Sequence, residues 1–414
     1  MDLLVTLDFR FVRTPDGQVW TRTAYSYAFW DRYLKVFDHV KIVARAEAKP
    51  SVDEQYKQVN GPGVTFLGVP FYLGPWQYLK AHRRVRQAVR SSVSGEEAVL
   101  CRVASQLASE LLPALWAENR PYGLEVVGDP YEAFSPGAVK HPLRPYFRRR
   151  TSRLLKEQCA RAAAVSYVTE QALQRRYPCG NNLAVAVSDA DLQAASFSAT
   201  SRVFTSGECA ATPKTSSGAA RPRLVFVGSL EQMYKGPDVL LRAMALLQSR
   251  VPVQLRIVGA GRYRSELEQL ARSLSLDDTV EFTGELAAGA AIRSEFDNAT
   301  LMVLPSRTEG LPRVVIEGMA RGLPCVATNV GGIPELLDAE DLVRPNDPRA
   351  LAEKIEKVVG DSARLSRMSA RNLAKAQDFR PEVLESKRTS FYRFLRDTTN
   401  TWLTTRKREG VRVA

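Results

Sequence analysis

From Arg223 onward the chain alternates short apolar runs with stretches of helical spacing. Arg223–Gly228 is a β-branched and aromatic run closed by glycine, the pattern of a strand buried on both faces of a parallel sheet. Asp238–Arg250 then sets Val239, Leu240, Ala243, Leu246 and Leu247 at helical intervals. The series continues with a strand at Val253–Val258 ending at Gly259, a helix over Ser265–Ser273, and a strand at Val280–Thr283 ending at Gly284. A strand at Thr300–Leu304 precedes a loop and the helix Val314–Arg321, with Gly322 placed where a left-handed residue ends a helix, and Pro324–Thr328 is a further strand. Regular alternation predicts an α/β domain with a doubly wound, mostly parallel sheet.

The N-terminal half repeats the theme less cleanly. Leu3–Leu7, Val40–Ala44, Val99–Val103, Leu124–Val127 and Ala163–Thr169 read as strands, separated by helical stretches such as Gln106–Glu118. Ala194–Arg221, rich in Ser, Thr and Ala, reads as an irregular linker. After Pro381 an amphipathic segment carries Phe391, Tyr392, Phe394, Leu395 and Trp402, and is expected to pack on a domain. A length of 414 residues is long for one core. The expectation is therefore two Rossmann-like domains, residues 1–205 and 206–380, facing each other across a cleft, with 381–414 returning to the first.

Composition narrows the class. With 45% hydrophobic and 25% charged residues the chain falls among ordinary globular proteins. No run approaches the roughly 18–20 apolar residues of a membrane-spanning helix, and the start Met1-Asp2-Leu3-Leu4 lacks a basic secretory n-region. A cytoplasmic location is the expectation. Cys101, Cys159, Cys179, Cys209 and Cys325 are scattered without a CxxC pair, and the histidines are His39, His82 and His141. That composition speaks against a disulfide framework or a structural zinc site. The net charge of +13 gathers in Lys80–Arg90, in Arg144–Lys156 and in the tail Arg406-Lys407-Arg408. Around Pro145, Tyr146 and Phe147 the basic residues mix with aromatic ones, which suits an anionic membrane surface, possible on the inner face, as well as a solvated face. No nucleic-acid-binding motif accompanies them.

Three features converge on one ligand. Gly228-Ser229-Leu230 and Lys235-Gly236 lie between a strand end and a helix start, where backbone amides and an ammonium suit a diphosphate; alone, each is equally a surface turn. Pro305-Ser306-Arg307-Thr308-Glu309-Gly310-Leu311-Pro312-Arg313 follows another strand, with Pro312 fitting the first helical turn and the free amides of Arg313 and Val314 ready for an anion. Glu317 falls on the inward side of that helix, among Val314, Val315, Met319 and Ala320. A buried carboxylate needs a partner, either a core backbone group or the two hydroxyls of a ribose.

Leu224 to Leu337, about a quarter of the chain, resembles the donor domain of the retaining GT-B glycosyltransferases of family 4, the group 1 type. The match is the motif Glu, seven residues, Glu, here Glu309 to Glu317, continued by Gly322 through Gly331-Gly332-Ile333-Pro334-Glu335. The resemblance implies that Lys235 binds the donor diphosphate, with Gly236 shaping its loop, and that Glu309 acts catalytically against the anomeric face of the sugar. Gly310, Leu311, Pro312 and Arg313 would line the sugar and phosphate pocket, Glu317 would hold the ribose, and Gly259 and Gly284 would lie near the base. It further implies transfer of a hexose from a UDP-, GDP- or ADP-sugar to a lipid-linked or polysaccharide hydroxyl, without metal or other cofactor, in surface polysaccharide or glycolipid synthesis.

Two positions depart from the family. Ser229 stands where many members have arginine, so Arg262, Arg264 or Arg313 would supply the second cation. Gly128 stands where many have a cleft histidine; Asp129 next to it is a candidate for a catalytic polar role, or a strand-end cap. The loop ending in Gly17 could meet the acceptor or be a plain turn. A manganese-dependent transferase using Asp189-Ala190-Asp191, a non-catalytic nucleotide-sugar-binding or scaffold protein on the same fold, and a nicotinamide oxidoreductase are the competing readings. The last lacks a Gly-X-Gly-X-X-Gly after a strand with an acidic residue about 20 positions on.

Overall fold

The computed structural model describes residues 1–135, 141–205 and 221–413. Cys209 and most of the expected linker lie outside these residues. The chain forms two compact units. The first comprises Met1–Gly128, Arg149–Val187 and Glu385–Ala414; the second comprises Asp129–Arg148 and Ser188–Leu384. Both are α/β units of Rossmann-like order.

The first unit contains β1 (Leu3–Arg13), β2 (Val19–Thr21), β3 (Val40–Ala48), β4 (Lys57–Gln58), β5 (Val64–Val69), β6 (Ala98–Val103), β7 (Gly123–Val126), β8 (Ala164–Tyr167) and β9 (Leu183–Ala186). Seven of these run parallel in the order β5-β3-β1-β6-β7-β8-β9, so the strand order reverses at β1 and β6. β1 is longer than its apolar run predicts. Past Leu7 it alternates polar and apolar residues and turns back on β2 as a hairpin, Val12 opposite Trp20. Gly17 sits in that turn at φ +83°, donating its N–H to Thr14 O at 3.0 Å.

The terminal helix Pro381–Val413 enters the core of the first unit. Phe391, Tyr392 and Leu395 pack with Phe11, Phe29, Trp30, Tyr33 and Phe37, all buried. At the polar centre of this cluster Glu125 accepts from Tyr392 Oη at 2.8 Å and Tyr33 Oη at 3.0 Å, and pairs with the buried Arg102. A carboxylate taken out of water is tolerable only with such company. Burial, with Glu125 adding to it, pushes both phenols well above their ordinary range, so they stay donors at any physiological pH.

The second unit contains β10 (Arg223–Val227), β11 (Gln254–Val258), β12 (Val280–Gly284), β13 (Leu301–Leu304), β14 (Cys325–Thr328) and β15 (Leu342–Val343). All pair in parallel in the order β12-β11-β10-β13-β14-β15, the doubly wound arrangement that reverses between β10 and β13. The helices Pro237–Leu247, Arg264–Ser273 and Arg313–Ala320 agree with the predicted ones to within three residues at each end. The described part of the linker, 194–205, is firmly held. Arg202 donates to Phe296 O, Ala299 O and Arg321 O at 2.7–3.0 Å, taking up carbonyls at the ends of two helices. No local pattern announces that tie, which is why the segment reads as irregular.

Glu125→Ala removes the carboxylate from a buried ion pair and two phenol bonds, and is expected to lower stability by about 3–5 kcal/mol. Tyr392→Phe loses one charged hydrogen bond and is expected to cost about 1.5–3 kcal/mol. Urea unfolding of the intact chain measures both; equal stability in the two variants would deny Glu125 its role as anchor.

Candidate functional site

At the reversal, the chain leaves β10 and β13 toward opposite sides, and the loops after them form the floor of the site. The loop after β10 makes a single 3₁₀ turn, Met233–Lys235, before the helix Pro237–Leu247. Gly236 joins the two at φ +70°, and a Cβ there would stand 2.1 Å from Pro305 O. Only glycine allows the two loops to touch in this way. The stem of Lys235 lies over Gly228, and its ammonium ends 3.1 Å from Glu309 Oε1. That same oxygen accepts from Ser306 Oγ at 2.8 Å. Burial works against the Lys235 charge, yet the Glu309 carboxylate beside it holds its pKa above the usual lysine range.

The loop after β13 is tied on both flanks. Thr328 Oγ1, at the end of β14, donates to Ser306 O at 2.5 Å. Gly332 N donates to Gly310 O at 2.7 Å, and Gly331, at φ +55°, lets the backbone press on Glu309; a Cβ there would meet Glu309 O at 2.0 Å. The glycine pair of the motif is thus a backbone-to-backbone contact that positions Glu309.

Sequence reasoning missed the residue that joins these loops. Arg307 donates in bidentate fashion to Asp238 Oδ1 and Oδ2, both at 2.8 Å, and to Met233 O at 2.5 Å and Asn346 Oδ1 at 2.6 Å. Its own N–H reaches Tyr234 O at 2.6 Å. One guanidinium therefore fixes the Lys235 turn to the Glu309 loop, using the fork geometry that lysine lacks. Burial would raise the Asp238 carboxyl, but Arg307 and Arg242 outweigh it and keep Asp238 below the ordinary range. The one sequence cue was an arginine inside the motif two residues before Glu309.

The helix Arg313–Ala320 begins at the site. Pro312 is its N-cap rather than its first helical residue, a shift of one position that leaves the Arg313 and Val314 amides at the helix start without acceptors among the described residues. Glu317, one turn in, is half-buried and has no hydrogen bond or ion pair among the described residues. Burial pushes its pKa up, while Arg313 and Lys235 pull it back only in part. Arg313 is exposed and likewise makes no ion pair among the described residues. Gly310 and Leu311 complete the loop between Glu309 and this helix start.

The remaining sequence candidates divide. Ser229 is exposed, its hydroxyl accepting from Glu231 N at 3.2 Å. Gly259 and Gly284 close β11 and β12 at the same sheet edge, joined by Gly259 N to Gly284 O at 2.8 Å. Arg264 is engaged by Glu268 at 2.7 Å, whereas Arg262 donates from Nε to Glu231 O at 2.9 Å and meets no carboxylate among the described residues. Asp129 caps the short helix Pro130–Ala133, accepting from Tyr131 N at 2.9 Å and Glu132 N at 3.4 Å. Its carboxylate is engaged in the capping role that was its structural alternative. Among the described residues no group of three or more His, Cys, Asp or Glu is gathered as a metal site would need, Asp189 and Asp191 included.

Residues 221–361 match the family model described as Glycosyl transferases group 1. Over 365 residues the chain is 26% identical to protein CapJ of Staphylococcus aureus, covering 87% of this chain and 86% of that one. It is 34% identical over 155 residues to the putative colanic acid biosynthesis glycosyltransferase WcaL of Escherichia coli, covering 35% of this chain and 38% of WcaL. Among solved structures, HepE of Anabaena in complex with UDP and glucose superposes with a TM-score of 0.63 at 18% identity, covering 93% of this chain and 97% of HepE. The structural neighbours share the GT-B fold of two α/β units, and the group 1 match lies within the second unit.

Arg307→Ala is expected to loosen the Lys235 turn without unfolding the sheet. Amide exchange at 233–236 should speed up about tenfold or more, in line with about 1.5–3 kcal/mol for a hydrogen bond to a charged group. Arg307→Lys should recover little of it. Unchanged exchange in Arg307→Ala would show that the clamp is dispensable.

Proposed function

We propose that the protein is a retaining, metal-independent glycosyltransferase. It moves a hexose from a UDP-, GDP- or ADP-sugar to a hydroxyl of a lipid-linked or polysaccharide acceptor, in surface polysaccharide or glycolipid synthesis. The observation that carries this reading is one constellation at the strand reversal: Lys235 against Glu309, with Glu317, unpartnered among the described residues, and an open helix start one turn away. Crevices at such reversals are where doubly wound sheets take nucleotides. The colanic acid biosynthesis for which WcaL is named and the UDP and glucose bound to HepE point the same way.

In this reading the donor diphosphate displaces Glu309 from Lys235 and lies on the Arg313 and Val314 amides, with Arg313 or Arg262 in place of the arginine that Ser229 lacks. Glu309, so released, faces the anomeric carbon as positive charge develops there. Glu317 accepts from the two ribose hydroxyls, and Gly259 and Gly284 leave room for the base. The acceptor oxygen bonds to the anomeric carbon on the face from which the phosphate oxygen departs, and the acceptor proton passes to that departing phosphate. The cations and helix amides stabilise the leaving nucleoside diphosphate, the task a metal performs elsewhere. A cytoplasmic protein resting on the inner face of a membrane is the setting in which lipid-linked acceptors would be met.

A second reading, nucleotide-sugar binding without transfer, is favoured by one observation. Gly128 supplies no side chain and Asp129 is occupied as a cap. Transfer detected across a panel of nucleotide sugars and saccharide or lipid acceptors would dismiss it.

Lys235→Ala and Glu317→Ala are each expected to weaken nucleoside diphosphate binding by about thirtyfold or more, since truncating a buried charged partner costs about 2–5 kcal/mol. Calorimetry with UDP, GDP and ADP measures this, and normal binding by both variants would sink the site assignment.

Glu317 also predicts a pH dependence. Its folded pKa is raised, so the folded chain binds that proton more tightly than the unfolded chain, and stability is lost as pH rises from the ordinary glutamate range through the raised value. Glu317→Gln should therefore raise Tm at neutral pH and lose that gain toward pH 4, while nucleotide affinity of the unaltered chain falls on acidification. A Tm difference that does not vary with pH would contradict the assigned burial of the charge.

A further inference from the structure

The first unit carries a surface that its own fold does not explain. The helix Gly74–Arg90 buries Ala81, Val85 and Val89. Its inner flank is committed to Glu110: Tyr78 Oη donates to Glu110 Oε1 at 2.6 Å, His82 Nε2 lies 3.2 Å away and Arg86 Nε 3.9 Å away. The outward side is different. Leu73, Trp76 and Leu79, spaced three apart so that each neighbours the next, are 45%, 79% and 63% exposed. Trp76 is the most exposed large apolar side chain among the described residues. Lys80, Arg83 and Arg84 follow on the same outward side, exposed and with no ion pair among the described residues.

Exposed apolar residues scattered singly are ordinary, but an indole between two leucines, backed by three cations with no ion pair among the described residues, is a composite surface. Tryptophan with leucine beside lysine and arginine is the chemistry of the bilayer interface, where the ring sits at headgroup depth and the cations meet lipid phosphates. We propose that Leu73, Trp76 and Leu79 insert at the surface of an anionic lipid bilayer, with Lys80, Arg83 and Arg84 holding its headgroups. Charge complementarity selects this occupant: the chain is at +13, and Lys80, Arg83 and Arg84 beside the apolar ridge make no ion pair among the described residues. The membrane contact expected from sequence at Arg144–Lys156 is less free. Arg144 donates to Phe134 O at 3.2 Å, and Arg148 donates to Tyr131 O at 2.9 Å and stacks on the Tyr131 ring at 3.6 Å.

The proposal is independent of the donor site and is tested separately from it. The full chain is sedimented with vesicles of phosphatidylcholine alone, or mixed with phosphatidylglycerol. It is expected to bind the mixed vesicles and to be released by salt. Trp76→Ser and the pair Lys80→Glu with Arg83→Glu should each lower the partition coefficient about tenfold or more. All of these positions are exposed, so Tm and nucleotide binding should not change. Equal partition onto neutral vesicles, or full binding by both variants, overturns the proposal. So does loss of binding on reversing Arg149 and Arg150 while the Lys80 and Arg83 reversals have no effect. A dimer in sedimentation velocity that Trp76→Ser dissolves would assign the ridge to a second copy instead.

Discussion

Between β10 and β13 two parallel strands lie side by side while the chain departs from them in opposite directions, and nearly everything about the candidate site follows from that reversal. A crevice opens there because no connection crosses it. Loops that diverge would also drift apart, which would be fatal to a site needing one group from each. Arg307 resolves the conflict. It comes from one loop and binds Asp238, 69 residues earlier in the chain, together with the carbonyls of Met233 and Tyr234 on the other. Glycines at 236 and 331 then let the backbones close to contact distance.

Fixing the loops also fixes an electrostatic compromise. Lys235 and Glu309 satisfy one another, so the cation that would meet a diphosphate and the carboxylate that would face a sugar are neutral as a pair. Glu317 has no such partner among the described residues, and its burial raises the cost of the charge. Two carboxylates of one motif, eight residues apart, thus sit in opposite states. One is paired and ready to exchange its partner; the other is under-solvated and open to neutral donors such as hydroxyls. Unpaired buried charge is the kind of local cost that folds tolerate mainly where function demands it.

Most of this unit was legible from sequence because its strands are buried on both faces. Leu224–Phe226 and Leu301–Leu304 can only be apolar, and the glycines and helix periods between them have single readings. What the sequence did not show is long-range and polar. The Arg307–Asp238 pair, the Arg202 carbonyl contacts and the Glu125 cluster each join residues that no local spacing relates, so periodicity is blind to them. Strand β5 escaped notice for the opposite reason. At a sheet edge, with Thr65 and Gly68 exposed, it lacks a continuous apolar run. Asp129 shows why a neighbouring motif leaves alternatives open: a carboxylate before a proline fits a cleft and a helix cap equally well, and the cap bonds are formed here.

The same distinction bears on the basic charge. An excess of +13 read from composition looks like one property, but its cations differ in kind. Arg202, Arg307, Arg364 and Arg371 are bound to carbonyls and carboxylates and act as structural rivets, so their charge is already answered inside the fold. Arg313 at the helix start and Arg262 on the loop after β11 remain without carboxylates among the described residues, which fits a site for an anion. Lys80, Arg83 and Arg84 lie on the outward side of the helix that exposes Trp76 and make no ion pair among the described residues. Net charge therefore predicts partners only after the riveted cations are set aside. Among what remains are two groups of different character: one beside backbone amides, suited to a small multivalent anion, and one beside apolar side chains, suited to an extended anionic surface.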